Sequence, residues 1–243
     1  MKFELTGMTH TGLARKHNED SFWLDNDLGA AIVSDGMGGQ AAGEVASAIT
    51  VESFKKVFTL RLPRASSQSD IVTMLANSVG LANQEVIITM QKNPTQSNMG
   101  ATSVSACLWR GYFTISNVGD SRAYLIDKGS ISQLTKDDSV VQRMIDDGLL
   151  DEEGARTHPN RNLITQYIGN KKPYKPAVTT FEAVSGQIVL LCSDGLSGLV
   201  TDDEILSIVT SSQSPDDACN KLIKATLEKG AHDNVTVVLF AIS

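Results

Sequence analysis

Aspartates recur where apolar strands give out. A-A-I-V-S-D-G brings Asp35 to the end of one apolar run, and Q-I-V-L-L-C-S-D-G brings Asp194 to the end of another, each acid followed by glycine. F-T-I-S-N-V-G-D-S-R adds Asp120 after a third run, H-D-N-V-T-V-V-L-F sets Asp233 just before a fourth, and R-K-H-N-E-D-S-F puts Glu19 and Asp20 ahead of a fifth. A lone carboxylate there is ordinarily a helix cap or an Asx turn. A set of ionised carboxylates at the edge of an apolar core is costly unless cations or hydrogen bonds compensate, and that points to metal. Oxygen donors without His or Cys alongside select Mg²⁺ or Mn²⁺ over Zn²⁺. The glycine after each acid is expected to let the backbone turn sharply and to leave a carbonyl open to an ion.

The elements that must carry these acids follow from period and composition. Strands are expected at Phe3 to Met8, Ser21 to Leu24, Ala30 to Ser34, Ser103 to Trp109, Tyr112 to Val118, Ala123 to Ile126, Ile188 to Ser193 and Val235 to Ile242. Helices are expected from Ala42 to Leu62, along the amphipathic run Ile71 to Met90 capped by Ser69 or Asp70, from Val140 to Arg156, and near Asp202 to Ser211 and Asp216 to Lys229. Strands and helices in blocks, rather than in strict alternation, predict an α+β protein built on antiparallel sheets. With no internal repeat or linker, the chain of 243 residues reads as one domain with an insertion.

Composition removes several function classes. The net charge of −7 supplies no basic stripe for nucleic acid or an anionic membrane. The longest apolar runs, Ile188 to Cys192 and Val235 to Ile242, fall short of the roughly 20 residues a membrane helix needs, and the start has no signal-peptide core. Cys107, Cys192 and Cys219 are widely spaced and read as core residues of a reduced, cytoplasmic protein. G-M-G-G-Q-A, from Gly36 to Ala41, also satisfies a dinucleotide-binding fingerprint. The acid that should close a second parallel strand about 20 residues on is missing, so an oxidoreductase is the weakest reading.

Read together, T-H-T-G-L-A-R-K-H-N-E-D-S, D-G-M-G-G, N-M-G-A-T-S, V-G-D-S-R, L-T-K-D-D-S, H-P-N-R-N, L-C-S-D-G-L and D-N-V-T-V-V resemble, in order and almost end to end, the metal-dependent serine/threonine protein phosphatases of the PPM, or type-2C, family in its compact bacterial form. The resemblance implies a four-layer αββα sandwich of two antiparallel β-sheets flanked by helices, with a flap insertion at about 140 to 175. It implies Mn²⁺ or Mg²⁺ as a pair of ions with a weaker third. Asp35 would bridge the pair, the Gly36 carbonyl would bind one ion, and Asp194 and Asp233 would complete the other. Asp20, Glu19 and Asn234 would support this set through water, and Asp120 with Asp194 and Asp137 would hold the third ion. Arg15 matches the arginine that grips phosphate with a planar fork.

The implied reaction is hydrolysis of phosphoserine and phosphothreonine in proteins by metal-activated water without a phosphoenzyme. Its substrates would be the phosphoproteins of a Ser/Thr kinase, met by a monomer. The chain departs from the pattern at Met37 and Gln40, where members carry a histidine that protonates the leaving group, and at Asp138, which usually is His. That leaves the proton to a water, or the chain to a pseudophosphatase that binds phosphoproteins without turnover.

Overall fold

The computed structural model describes residues 1–38, 42–171 and 176–243. Along the chain run β1 (Phe3–His10), β2 (Asp20–Asp25), β3 (Ala30–Met37), α1 (Ala42–Arg61), α2 (Gln68–Lys92), β4 (Gly100–Ala101), β5 (Ser103–Trp109), β6 (Tyr112–Val118), β7 (Arg122–Asp127) and β8 (Ser130–Gln133). Then follow α3 (Val140–Asp146), α4 (Glu152–Thr157), β9 (Ala177–Glu182), β10 (Ile188–Cys192), α5 (Asp194–Ser197), α6 (Asp202–Ser211), α7 (Pro215–Glu228) and β11 (Val235–Ile242).

The strands form two sheets, β1-β11-β10-β7-β8 and β2-β3-β5-β6-β9, with β4 attached to β3. Each pairing in them is antiparallel. Alternate residues explain the layering. Ala31 and Val33 of β3 meet Val189, Leu191, Val238 and Phe240 between the sheets. Ala30 and Ile32 face the other way, onto Phe54, Phe58 and Leu75 of α1 and α2. Leu190, Val237 and Leu239 turn outward from the first sheet onto Ile205, Leu222 and Ile223 of α6 and α7. These strands read as unbroken apolar runs because both faces are covered. The result is the expected four-layer sandwich. The antiparallel neighbours of β3 on both sides also remove the parallel crossover that a dinucleotide fingerprint requires.

Some local expectations are corrected. The long second helix starts at Gln68 and its cap is Ser67, with Asp70 at the third helical position completing a capping box. That helix is long and apolar enough to cross a membrane, with a mean hydropathy of 1.3 over its best window. This departs from the expectation read from unbroken runs, because an amphipathic helix spreads its apolar residues. Its buried side chains, Ile71, Leu75, Val79, Ala82 and Val86 among them, belong to the core under β3 and β5. The helix expected from Val140 to Arg156 is two short ones, interrupted at Gly148, whose φ of +69° does not fit a helix. The strands β8 and β9 were not anticipated. Both are sheet edges with mixed exposure, so neither shows a strong apolar pattern.

Candidate metal centre

Antiparallel register is what gathers the acids. Asp20 at the start of β2 lies directly across from Asp35 near the end of β3. Cys192, at the end of β10, pairs with Val237 near the start of β11 and with Arg122 at the start of β7. Asp194, Asp233 and Asp120 therefore emerge at one end of the sandwich, beside Asp20 and Asp35. Asp35 lies inside the strand rather than past it, since Gly36 and Met37 continue pairing with Ala101 and Gly100 of β4.

The glycines after the acids serve close approach, not a sharp turn. A Cβ on Gly36 would strike the carbonyl oxygens of Gly43 and Glu19, and one on Gly195 would strike the carbonyl oxygen of Asn234. Neither residue has a positive φ. Only hydrogen at these positions lets the strand end pack on the first turn of α1, and the first turn of α5 pack on the segment before β11.

Electrostatics at this end are severe. Asp20 is buried, while Asp35, Asp120 and Asp194 keep some accessible surface, and Asp120 and Asp194 line a cavity. Burial is the first cause raising all four pKa values. The Asp20 carboxyl reaches about 7. Asp35 is pushed well above its ordinary value by burial and then by Asp20, Asp194 and Asp120. Asp120 is pushed well above by burial, Asp194 and Asp137, and Asp194 is raised by burial and Asp233. The Asp35 and Asp194 carboxyls approach within hydrogen-bonding reach of each other, which requires a shared proton or a cation between them.

Hydrogen bonds leave particular oxygens over. Asp20 Oδ2 accepts from Ser193 Oγ at 2.8 Å and Thr236 Oγ1 at 2.7 Å, while its Oδ1 and Asp194 Oδ1 are buried and without a protein donor. The Asp35 peptide is held on both sides by Thr102, whose Oγ1 accepts from Asp35 N–H at 2.9 Å and whose N–H donates to the Asp35 carbonyl at 2.8 Å. Asn234 ties down the arm that carries Arg15 and Glu19. Its amide donates to the carbonyls of Thr11 at 2.8 Å and His17 at 3.0 Å, and its Oδ1 accepts from Glu19 N–H at 2.8 Å. The Glu19 carboxyl is raised by burial, against the pull of Arg15 and a bond from the Gly43 N–H. Arg15 Nη2 donates to Asp233 Oδ2 at 2.8 Å, which raises its pKa.

A cavity of about 350 Å³ opens beside these residues, lined by Asp120, Asp194 and Asp233 together with Val141, Ile145 and Arg156 of the 140–171 segment. Asp137 also lines it, but both its oxygens already accept, from Arg122 at 2.8 to 3.1 Å and from Gln133 at 3.0 Å. The guanidinium thus holds Asp137 with the charge that a third ion would have to supply. Met37 rests over Gly100 near Tyr167 and has no proton to give. Gln40, like Gly39 and Ala41, and like Lys172 to Lys175 at the end of the expected flap, lies outside the described residues. His10 and His158 accept backbone N–H bonds at Nδ1, whereas His232 lines the cavity. Reading the sequence missed Thr102, Ser193 and Thr236, because a hydroxyl within a strand or just beyond its end carries no spacing signal.

Residues 13–229 match the protein phosphatase 2C family. The chain belongs to that family. Among curated type-2C relatives, it is 37% identical over 229 residues to the serine/threonine protein phosphatase PstP of Mycobacterium tuberculosis, covering 94% of this chain and 43% of that protein. It is 31% identical over 236 residues to the serine/threonine phosphatase stp of Listeria welshimeri, covering 95% of this chain and 92% of that protein. The chain therefore spans less than half of PstP and nearly all of the Listeria protein. The structure of the PstP catalytic domain in complex with two manganese ions superposes with a TM-score of 0.88 at 31% identity, covering 99% of this chain and 98% of that one.

The donor set of this type-2C chain suits a hard divalent cation. It consists of carboxylates and carbonyls, and two of its buried carboxylate oxygens have no protein donor. Among the described residues, no three His, Cys, Asp or Glu side chains are drawn into a closed cage.

Proposed function

We propose that the chain hydrolyses phosphoserine and phosphothreonine in proteins with a pair of Mn²⁺ or Mg²⁺ ions and a water nucleophile, without a phosphoenzyme. The observation that carries this is the convergence of Asp20, Asp35, Asp120, Asp194 and Asp233 at one end of the sandwich with carboxylate oxygens left over for a cation. Asp35, the Gly36 carbonyl, Asp194 and Asp233 would hold the two ions, with a weaker third toward Asp120. When bound, such ions lower the pKa of a water and neutralise the charge of the attacked phosphoryl group, which is most of what phosphate ester hydrolysis demands.

The chain's own residues do the rest. Thr102 fixes the Asp35 peptide and Asn234 fixes the arm bearing Arg15. Arg15 is half exposed at the rim and paired with Asp233. Its remaining donors can take phosphoryl oxygens as a fork. A cysteinyl-phosphate route is disfavoured, because burial pushes the thiols of Cys107, Cys192 and Cys219 up to about 12. Three separate buried thiols also suit a reducing cytoplasm, where phosphoproteins of a Ser/Thr kinase would be the substrates.

The test is release of phosphate from a chromogenic ester and a phosphothreonine peptide with Mn²⁺, Mg²⁺ or chelator. Release should need the metal, and Asp194→Ala should lower it by at least about a hundredfold. A well-folded protein that releases no phosphate with either ion overturns the proposal and favours phosphoprotein binding alone.

A further inference from the structure

The residue where the chain departs from the family pattern before the 140–171 segment is built into the metal end of the fold. Asp138 N–H donates to the Gly119 carbonyl at 2.9 Å, and Gly119 N–H donates back to Asp138 Oδ2 at 3.1 Å. Asn117 adds to the same seam, its amide donating to the carbonyls of Gly119 at 3.2 Å and Lys136 at 3.3 Å. On the other side, Asp138 belongs to the neck of the segment. Its carbonyl accepts from Thr165 N–H at 2.6 Å, Ser139 bridges Ile164, and Val140 N–H donates to the Leu163 carbonyl at 2.8 Å.

Gly119 is itself confined. Its φ is +100°, and a Cβ there would lie 2.7 Å from Thr102 Cγ2. Thr102 is the residue that grips both sides of the Asp35 peptide, and its hydroxyl meets Ser121 Oγ at 2.6 Å. Asp120 sits between Gly119 and Ser121, so its direction follows from how the Gly119 peptide groups are held.

We infer that Asp138 is a positioning residue: by gripping both the N–H and the C=O of Gly119 it sets how Asp120 is presented to the cavity, and it ties that presentation to the neck of the 140–171 segment. The inference rests on the proposed role of Asp120 in binding an ion. A carboxylate that accepts from a peptide N–H beside a ligand acts as outer-shell partners do, and losing such a partner typically weakens metal affinity about 10- to 100-fold.

The experiment follows Mn²⁺ binding by the paramagnetic resonance of the free ion, together with amide exchange at Gly119, in wild type, Asp120→Ala, Asp138→Ala and Asp138→Asn. Folding of each variant is checked by its thermal melt. In Asp138→Ala the weakest Mn²⁺ step should weaken about 10- to 100-fold, the tighter steps should hold, and the Gly119 amide should lose protection. Asp138→Asn keeps the acceptor oxygen and should restore both readings. A weak step that is lost in Asp120→Ala but intact in folded Asp138→Ala overturns the positioning role alone, as does an Asn variant as defective as Ala. A weak step intact in Asp120→Ala overturns the role of Asp120 as a ligand, and this inference with it.

Discussion

At the scale of single residues, the acids drew attention first, but small groups place them. Gly195 shows the point. A methyl group there would overlap the Asn234 carbonyl oxygen, which is backbone and cannot rotate aside, so Gly195→Ala must shift α5 or the segment leading into β11. The melt of Gly195→Ala should show a loss of at least about 1–3 kcal/mol, as overpacking does. Gly80, on the exposed side of α2 with open space around it, is the control. Gly80→Ala should stabilise by about 0.5–1 kcal/mol. Equal losses in the two would show that the close approach at Gly195 is unimportant. Asp35, Asp194 and Asp233 were legible as residues because an acid beside an apolar run, after it or before it, is an unusual juxtaposition, and it recurred. Thr102, Ser193 and Thr236 were not, since a buried serine or threonine looks the same in sequence whether its hydroxyl braces a carboxylate or merely its own strand.

At the scale of elements, α2 shows how a helix start is fixed by hydrogen bonds that apolar spacing does not reveal. Ser67 caps it, and Asp70 Oδ2 accepts from Ser66 N–H, Ser66 Oγ and Ser67 N–H. Those bonds lower the Asp70 pKa to about 2 from an ordinary 3.8. The stabilisation is present above 3.8 and is lost as pH falls through about 2. Asp70→Ala should melt below wild type at neutral pH, and the gap should narrow as pH drops from 3.8 towards 2. A gap independent of pH would assign the loss to something other than the charged cap. The apolar period placed the body of this helix, while the polar loop R-A-S-S-Q-S-D offered several capping residues that only the folded backbone distinguishes.

For the whole molecule, the concentration of acids at one end of the sandwich makes stability depend on cations. The Asp20 carboxyl has a pKa of about 7 in the fold against an ordinary 3.8, so its contribution is full below 3.8 and lost as pH rises through about 7. Chelated protein should therefore lose melting temperature as pH rises from 3.8 towards about 7. Saturating Mn²⁺ should remove most of that decline and, at about 100 times its dissociation constant, add roughly 2.7 kcal/mol, or about 5–10 °C. A chelated melt that is flat or rises as pH approaches 7 from below, or one that Mn²⁺ leaves unmoved, would contradict the electrostatic account of this end of the fold.

The sequence by itself determined the fold class and the principal acids, because both rest on local patterns: two-faced apolar strands, helical spacing, and carboxylates set against apolar runs in a recognisable order. It could not say what those acids touch. Asp20 faces Asp35 only through the register of β2 and β3, and Arg15 reaches Asp233 across more than two hundred residues of chain. In L-T-K-D-D-S the sequence assigned Asp137 to a third ion and marked Asp138 only as a departure from the family pattern, and only packing gave Asp137 to Arg122 and Asp138 to Gly119. Short-range pattern records which face of an element is buried. Long-range pairing, which carries no repeat in the chain, decided which buried charges meet.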